Sequence, residues 1–192
     1  MREMPAMTAR NPAGVGPGRL ILVVGPSGAG KDTLLGLAKA ACAEDCNIVF
    51  PRRLVTREAS SSEDNEHLSP EAFREGLARG DFALHWEAHG HSYALPHSVE
   101  EDVRAGRTVV ANVSRQVVDA LRRAYADVVV VSITAPPQVL AARLAMRARQ
   151  SDGRIETRLQ RAVDDAAPDL TILNVGRAED HARRLLRVIR GE

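Results

Sequence analysis

The chain has 192 residues, 44% of them hydrophobic, with one Trp, two Tyr and three Phe, which suits one compact domain with an aliphatic core. Its 26 basic and 25 acidic residues leave a net charge of +1, which excludes nucleic-acid binding driven by bulk electrostatics. No run approaches about 18 apolar residues, and Cys42 and Cys46 lack the CxxC spacing of a zinc site, so no membrane partner and a reducing, cytoplasmic setting are expected.

Residues 1–18 have no apolar signal region and are rich in Pro and Gly, which predicts a disordered tail ahead of a single domain over 19–192. RLILVVG (19–25) is a short apolar run ending in glycine and predicts a buried parallel strand. From Lys31 to Cys42, Leu34, Leu35, Leu37 and Ala38 recur at helical spacing. Residues 47–58 predict a second strand running into a basic stretch, and the polar SSSEDNEH after it predicts a loop. Over 69–80 Ser69 caps a helix, Pro70 takes its first position, Ala72, Phe73 and Leu77 form its apolar side, and Gly80 stops it. Residues 81–96 alternate as a strand or hairpin, and 98–106 form a short helix.

Strand 107–114 is followed by a helix over 115–125, then by the apolar strand 127–134 and a helix over 136–150. A loop and second helix occupy 151–166, a last strand 169–176 and a last helix 179–189. No internal repeat is present. This alternation predicts an α/β class, three layers around a parallel sheet.

The stretch GPSGAGKDT fits GxxxxGK between a strand and a helix, the context in which such a loop holds phosphate. Gly25, Pro26, Ser27, Gly28, Ala29 and Gly30 turn the backbone so that N–H groups face phosphate oxygens, and Lys31 reaches the β- and γ-phosphates. The hydroxyl that usually follows the lysine is replaced by Asp32, with Thr33 next. A carboxylate is a hard oxygen ligand for Mg²⁺, and it is equally a favourable charge at a helix N-terminus. ATP and Mg²⁺ are the expected ligands. Arg143, Arg147, Arg149, Arg154, Arg158 and Arg161 line an arginine-rich helix–loop–helix at about 143–161, read as a lid that neutralises charge on a transferring phosphoryl group; Arg143, Arg147, Arg154 and Arg158 are the stronger candidates.

From residue 19 onward the chain resembles the guanylate-kinase superfamily, and within it the ribose 1,5-bisphosphate phosphokinase family. The likeness rests on GPSGAGKDT, on RRLVTR, and on SSEDNEHLS through FREGLARGDFALHWEAHGHSYALP. It implies a P-loop NTPase fold with an acceptor-binding insertion at about 52–95. It also implies transfer of the ATP γ-phosphoryl group to the 1-phosphate of ribose 1,5-bisphosphate, giving 5-phosphoribosyl 1-diphosphate in phosphonate degradation. The partner is then a small phosphosugar.

The same resemblance assigns Arg57 to the acceptor phosphate, while Ser60 stands where guanylate kinases carry a second arginine; Arg52 or Arg53 supplies that charge instead. Leu84 occupies the position of their guanine-reading glutamate, and Glu87 replaces it only with a shift of strand register. His89 and Tyr93 fall on acceptor-side positions. Asn112 and Ser114 stand in place of acidic residues, which suits Asn112 to hydrogen-bond a metal-bound water and leaves Asp32 as the nearest negative charge. Asn174 matches an asparagine near the adenine pocket, or forms a turn before Gly176. His85, His89 and His91 lack a fourth ligand for zinc, so hydrogen bonds to ribose or phosphate, or packing, are their readings. Glu63 and Asp64 face either the sugar or solvent. A nucleoside-monophosphate kinase using Glu87, a non-catalytic scaffold and a kinase for another small molecule stay as alternatives.

Overall fold

In β1 (Arg19–Val24) every residue from Leu20 onward is buried, as a strand covered on both faces requires. Leu20, Leu22 and Val24 enter one core while Ile21 and Val23 enter another, so the period of two divides the interior into two layers. The computed structural model describes residues 13–57, 64–88, 90–147 and 167–192.

After β1 come α1 (Lys31–Ala41), β2 (Ile48–Val49), β3 (Arg53–Val55), β4 (Asn65–His67), α2 (Pro70–Arg79), β5 (Phe82–Ala88) and β6 (His91–Pro96). Then follow α3 (Ser98–Arg104), β7 (Thr108–Asn112), a 3₁₀ turn (Arg115–Val117), α4 (Val118–Ala124), β8 (Val128–Thr134), α5 (Pro137–Arg147), β9 (Leu170–Leu173) and α6 (Ala178–Arg190). Among the described residues a five-stranded parallel sheet runs in the order β2-β7-β1-β8-β9. A second sheet, β4-β3-β6-β5, is mixed: β3 pairs parallel with β4 and antiparallel with β6.

One core packs α1, α5 and α6 on the parallel sheet through Leu34, Ala38, Leu140, Leu185 and Ile189. The other lies under α3 and α4 through Val99, Val103, Val118 and Leu121, and takes in Val55, Trp86, Tyr93 and Leu95 of the small sheet. The two sheets thus share an apolar core, and each fully buried Leu or Ile in it contributes roughly 1.5–3 kcal/mol. That shared core packs the small sheet against the face of the parallel sheet that also carries α3 and α4.

Ser69 Oγ accepts from Ala72 N at 3.1 Å, Pro70 opens α2 and Gly80 closes it, as expected. Leu77 is 37% exposed, however, and Leu37 of α1 is 36% exposed. On α2 the buried place belongs to Gly76, against which the Phe82 ring lies, with Phe73 and Phe82 centroids 5.0 Å apart. The strand expected over 47–58 is two strands: β2 joins β7 in the parallel sheet, and β3 belongs to the small sheet. Part of the expected polar loop is β4, whose register with β3 sets Asn65 opposite Arg53. The helix expected over 115–125 begins as a 3₁₀ turn.

Residues 13–18, read from sequence as tail, lie against the domain: Val15 N donates to Ala124 O at 2.8 Å, and Gly18 N to Val103 O at 2.9 Å. Residues 1–12, and 148–166 of the expected lid, lie outside the described residues. Among the described residues no helix is long and apolar enough to cross a membrane.

Candidate active site

The phosphate loop leaves the buried end of β1 and enters α1 without a side-chain cap. Gly25 has φ 142° and Gly30 φ 85°, both costly for any residue with a Cβ. A Cβ on Gly25 would strike the carbonyl oxygen of Ile133, and one on Gly30 the side-chain nitrogen of Asn174. Lys31 Nζ donates to the carbonyls of Gly25 at 2.8 Å and Pro26 at 3.0 Å, so the ammonium is held at the mouth of its own loop. Thr33 is exposed on the first turn of α1, beside the half-buried Asp32.

Three strand ends converge on this loop. Asn112 closes β7, is the register partner of Val23 in β1, and its Nδ2 donates to Asp32 Oδ1 at 3.1 Å. Asn174 follows β9 and is 4% exposed; its Nδ2 donates to Ala29 O at 2.7 Å, and its backbone N to Thr134 O at 2.7 Å. Arg143, on α5, donates to Asn174 O at 3.0 Å and to Gly28 O at 3.4 Å. Beside them opens a cleft of about 290 Å³ lined in part by Gly28, Thr33, Arg143, Met146 and Gly176. The Asn174 side chain therefore holds the loop from behind, while the residue also borders the cleft.

On the small sheet, Arg53 Nε donates to Asn65 Oδ1 at 3.1 Å, and its guanidinium carbon lies 6.0 Å from the centroid of the Tyr93 ring. Tyr93 is buried and stacks on Trp86 with centroids 5.6 Å apart and planes 10° apart. Thr56 is pinned twice to Ser92: its N donates to Ser92 O at 3.0 Å, and Ser92 N donates to its Oγ1 at 2.9 Å. This pair of hydrogen bonds to β6 fixes the point from which the half-buried Arg57 departs. Arg52 is turned to Asp64 at 2.9 Å and to the carbonyl of Asn65 at 3.1 Å.

Leu84 is half-buried against the shared core. Strand register is regular from Leu84 onward, which puts Glu87, three residues on, on the opposite, exposed face. The register shift lies before Leu84, between Phe82 and Leu84, and does not bring Glu87 to that face. His85 pairs with Ala94 and His91 with Ala88, so the two histidines point to opposite faces of the hairpin and share no ligand. Among the described residues no group of three His, Cys, Asp or Glu side chains is placed to hold a metal.

The structure thus gathers Gly25–Thr33, Asn112, Arg143 and Asn174 at one end, and Arg53, Arg57 and Tyr93 on the adjoining sheet. His89, Arg154 and Arg158, and the side chain of Arg147, lie outside the described residues. Sequence reasoning missed Asn65, buried at 8% exposure between two arginines, and Lys39, whose Nζ donates to Asp64 Oδ2 at 2.5 Å. That bond ties α1 to the residue before β4 and, with Arg52, pairs the Asp64 carboxylate. It also missed Gln116, whose Nε2 donates to the carbonyl of Glu87 at 2.8 Å and ties the turn after β7 to β5. No periodicity marks such long-range pairs.

The residues fit a nucleotide accompanied by a divalent cation. The loop backbone turns through positive-φ glycines with no room for side chains at Gly25 and Gly30, its lysine lies on the loop's own carbonyls, and one carboxylate stands on the first turn of the following helix, held by an amide, a donor set suited to phosphate and a hard cation.

A parallel sheet carrying such a loop on its central strand, with a second small sheet over one face, is the architecture of the P-loop kinases. The family model "Guanylate kinase" matches residues 17–190, and the chain belongs to that family, on its ribose 1,5-bisphosphate phosphokinase branch. It is 63% identical over 194 residues to the ribose 1,5-bisphosphate phosphokinase PhnN of Bradyrhizobium diazoefficiens, covering 100% of this chain and 98% of the relative. It is 63% identical over 176 residues to the protein of that name from Rhodopseudomonas palustris, covering 92% of this chain and 90% of the relative. Guanylate kinase from Anaplasma phagocytophilum has the same fold, with a TM-score of 0.64 at 22% identity, covering 92% of this chain and 86% of that one.

Proposed function

We propose that the chain transfers the γ-phosphoryl group of ATP to the 1-phosphate of ribose 1,5-bisphosphate, forming 5-phosphoribosyl 1-diphosphate and ADP. The observation that carries this reading is the acceptor sheet's treatment of the base-reading position. Leu84 packs into the core there, Glu87 is on the other face, and the cation Arg53 lies over Tyr93, two positions along β6 from Leu95, the register partner of Leu84. A leucine leaves the N1–H and amine of a guanine without acceptors, and burying them so costs about 1–3 kcal/mol each. A sugar bisphosphate makes no such demand. The names of the relatives at 63% identity support the same acceptor.

The attacking oxygen belongs to a phosphate already ionised near neutral pH, so the reaction needs positioning and charge neutralisation rather than a strong base. A bound Mg²⁺ supplies further neutralisation across the nucleotide phosphates. Lys31 exchanges the carbonyls of Gly25 and Pro26 for phosphate oxygens. Asp32 would help hold the cation, and Arg143 and Asn174 engage the loop carbonyls of Gly28 and Ala29. Arg53 and Arg57 hold the acceptor over the stacked Tyr93, with Arg147 and Arg158 closing from the lid and His89 at the sugar. Lid closure excludes water and so suppresses ATP hydrolysis.

A product-resolved assay with ATP and Mg²⁺, offered ribose 1,5-bisphosphate and GMP separately, tests this reading. The outcome expected is 5-phosphoribosyl 1-diphosphate with negligible GDP. GDP formation would sink it, and turnover of neither acceptor would remove the substrate assignment.

A further inference from the structure

The hydrogen bond between Asn112 and Asp32 joins two residues 80 positions apart, one at the end of β7 and the other directly after the loop lysine. A carboxylate on the first turn of a helix has two ready occupations. It can cap the free N–H groups at the helix start, or it can swing into solvent. Asp32 does neither alone: the N-terminus of α1 has no side-chain cap, and Oδ1 is engaged by Asn112 across the strand boundary. Among the described residues no other hydrogen bond reaches this carboxylate. Asn112 is itself fixed, since it is the register partner of Val23 in β1 and the next residue, Val113, donates its N to Val23 O at 3.1 Å.

The choice of an amide is constrained by charge. A second carboxylate at position 112 would stand at hydrogen-bond distance from Asp32, where two like charges cannot both be accommodated cheaply. An apolar residue would leave Asp32 able to rotate onto the helix N–H groups. An amide donor is the neutral group that holds one oxygen and leaves the other available.

We propose that Asn112 is a positioning residue for Asp32, holding its carboxylate so that the second oxygen faces the cation accompanying the nucleotide, and that its neutrality is what allows a carboxylate to stand where a hydroxyl is usual. The inference rests on the nucleotide half of the proposed function and is independent of the acceptor.

The test is calorimetric binding of ATP with and without Mg²⁺, measured without acceptor, on the unaltered protein, Asn112→Ala, Asp32→Asn and the double variant. Asn112→Ala is expected to weaken ATP binding about tenfold in Mg²⁺ and by less than about twofold without it, and the double variant is expected to bind no worse than Asp32→Asn. Equal losses with and without metal, losses that add in the double variant, or no loss at all would each overturn the proposal. Should Asn112→Ala lack the native circular dichroism spectrum, Asn112→Ser takes its place under the same criteria. Absence of ATP binding to the unaltered protein would overturn the nucleotide reading together with this one, whereas a wrong acceptor leaves the experiment intact.

Discussion

The side-chain amide of Asn174 donates to the carbonyl of Ala29 at 2.7 Å and binds the end of β9 to the middle of the phosphate loop. Because Asn174 is 4% exposed, its loss strands a buried acceptor that water cannot reach. Asn174→Ala should cost about 1–3 kcal/mol in thermal or urea unfolding and raise the KM for ATP about tenfold, leaving the acceptor KM near its original value. Asn174→Asp should be worse, since it turns a carboxylate oxygen toward the Ala29 carbonyl. An unchanged ATP KM in Asn174→Ala would remove the loop-holding role.

The bond from Lys39 to Asp64 joins α1 to the start of β4, and it is the main cause holding the Asp64 carboxyl below its ordinary value; burial opposes it, and the Lys39 and Arg52 charges add to the lowering. A depressed carboxyl contributes stability above its unfolded pKa and loses it as pH falls through the folded one. The contribution of this contact should therefore persist down to about pH 4 and vanish below. Lys39→Met should raise the Asp64 titration toward the usual carboxylate range, as followed by side-chain carboxyl NMR shifts. A titration curve unmoved by Lys39→Met would assign the lowering to Arg52.

Tyr125 is 3% exposed, and its hydroxyl has no hydrogen-bond partner among the described residues. Burial foremost, with the Glu100 charge second, pushes its pKa up to about 12. The sign is that of a raised group: its contribution is complete below about pH 10, where the unfolded phenol begins to ionise, and is lost as pH climbs toward 12. Tyr125→Phe removes a desolvated hydroxyl at little change of shape. It should stabilise the fold by about 1 kcal/mol, or about 2–4 °C in Tm, and flatten the alkaline limb of stability against pH. A lower Tm would reveal a partner for the hydroxyl.

Cys42 is buried and Cys46 exposed, and burial is the main cause raising the Cys42 thiol above its ordinary value. Titration of the native protein with a thiol-reactive chromophore should show one fast equivalent per chain, abolished by Cys46→Ser, and a second only on unfolding. Fast modification of Cys42 in the native state would contradict its burial.

The strand–loop–helix from Arg19 to Ala41 was legible because each part is written in consecutive residues: an apolar run, a glycine turn and a 3.6-residue period. So was α2, with its cap and stop. β2 and β3 merged in the sequence reading because they are two and three residues long, and nothing local says that one pairs with β7 and the other with β6. β4 is written in Asn, Glu and His, residues that do not favour strands, and it exists through backbone pairing with β3. Asp32, Asn112 and Asn174 could each be singled out from the chain. That Asn112 grips Asp32 and Asn174 grips Ala29 needed three strand ends brought side by side. Leu37 and Leu77 sit at the margins of their apolar stripes, where a helical period alone does not separate buried from exposed.

The chain has a single tryptophan, and that indole is Trp86, buried and stacked on Tyr93 in the small sheet. All indole fluorescence therefore originates in the small sheet, and none from the phosphate loop. The protein contains its own optical gauge: a ligand settling beside Arg53 and Tyr93 changes the emission at its source, while a nucleotide on the loop reaches the indole through the apolar core that Trp86 shares with Val24. Two sequential titrations on unlabelled protein, one with ribose 1,5-bisphosphate and one with ATP, would separate a ligand on the small sheet from one on the phosphate loop.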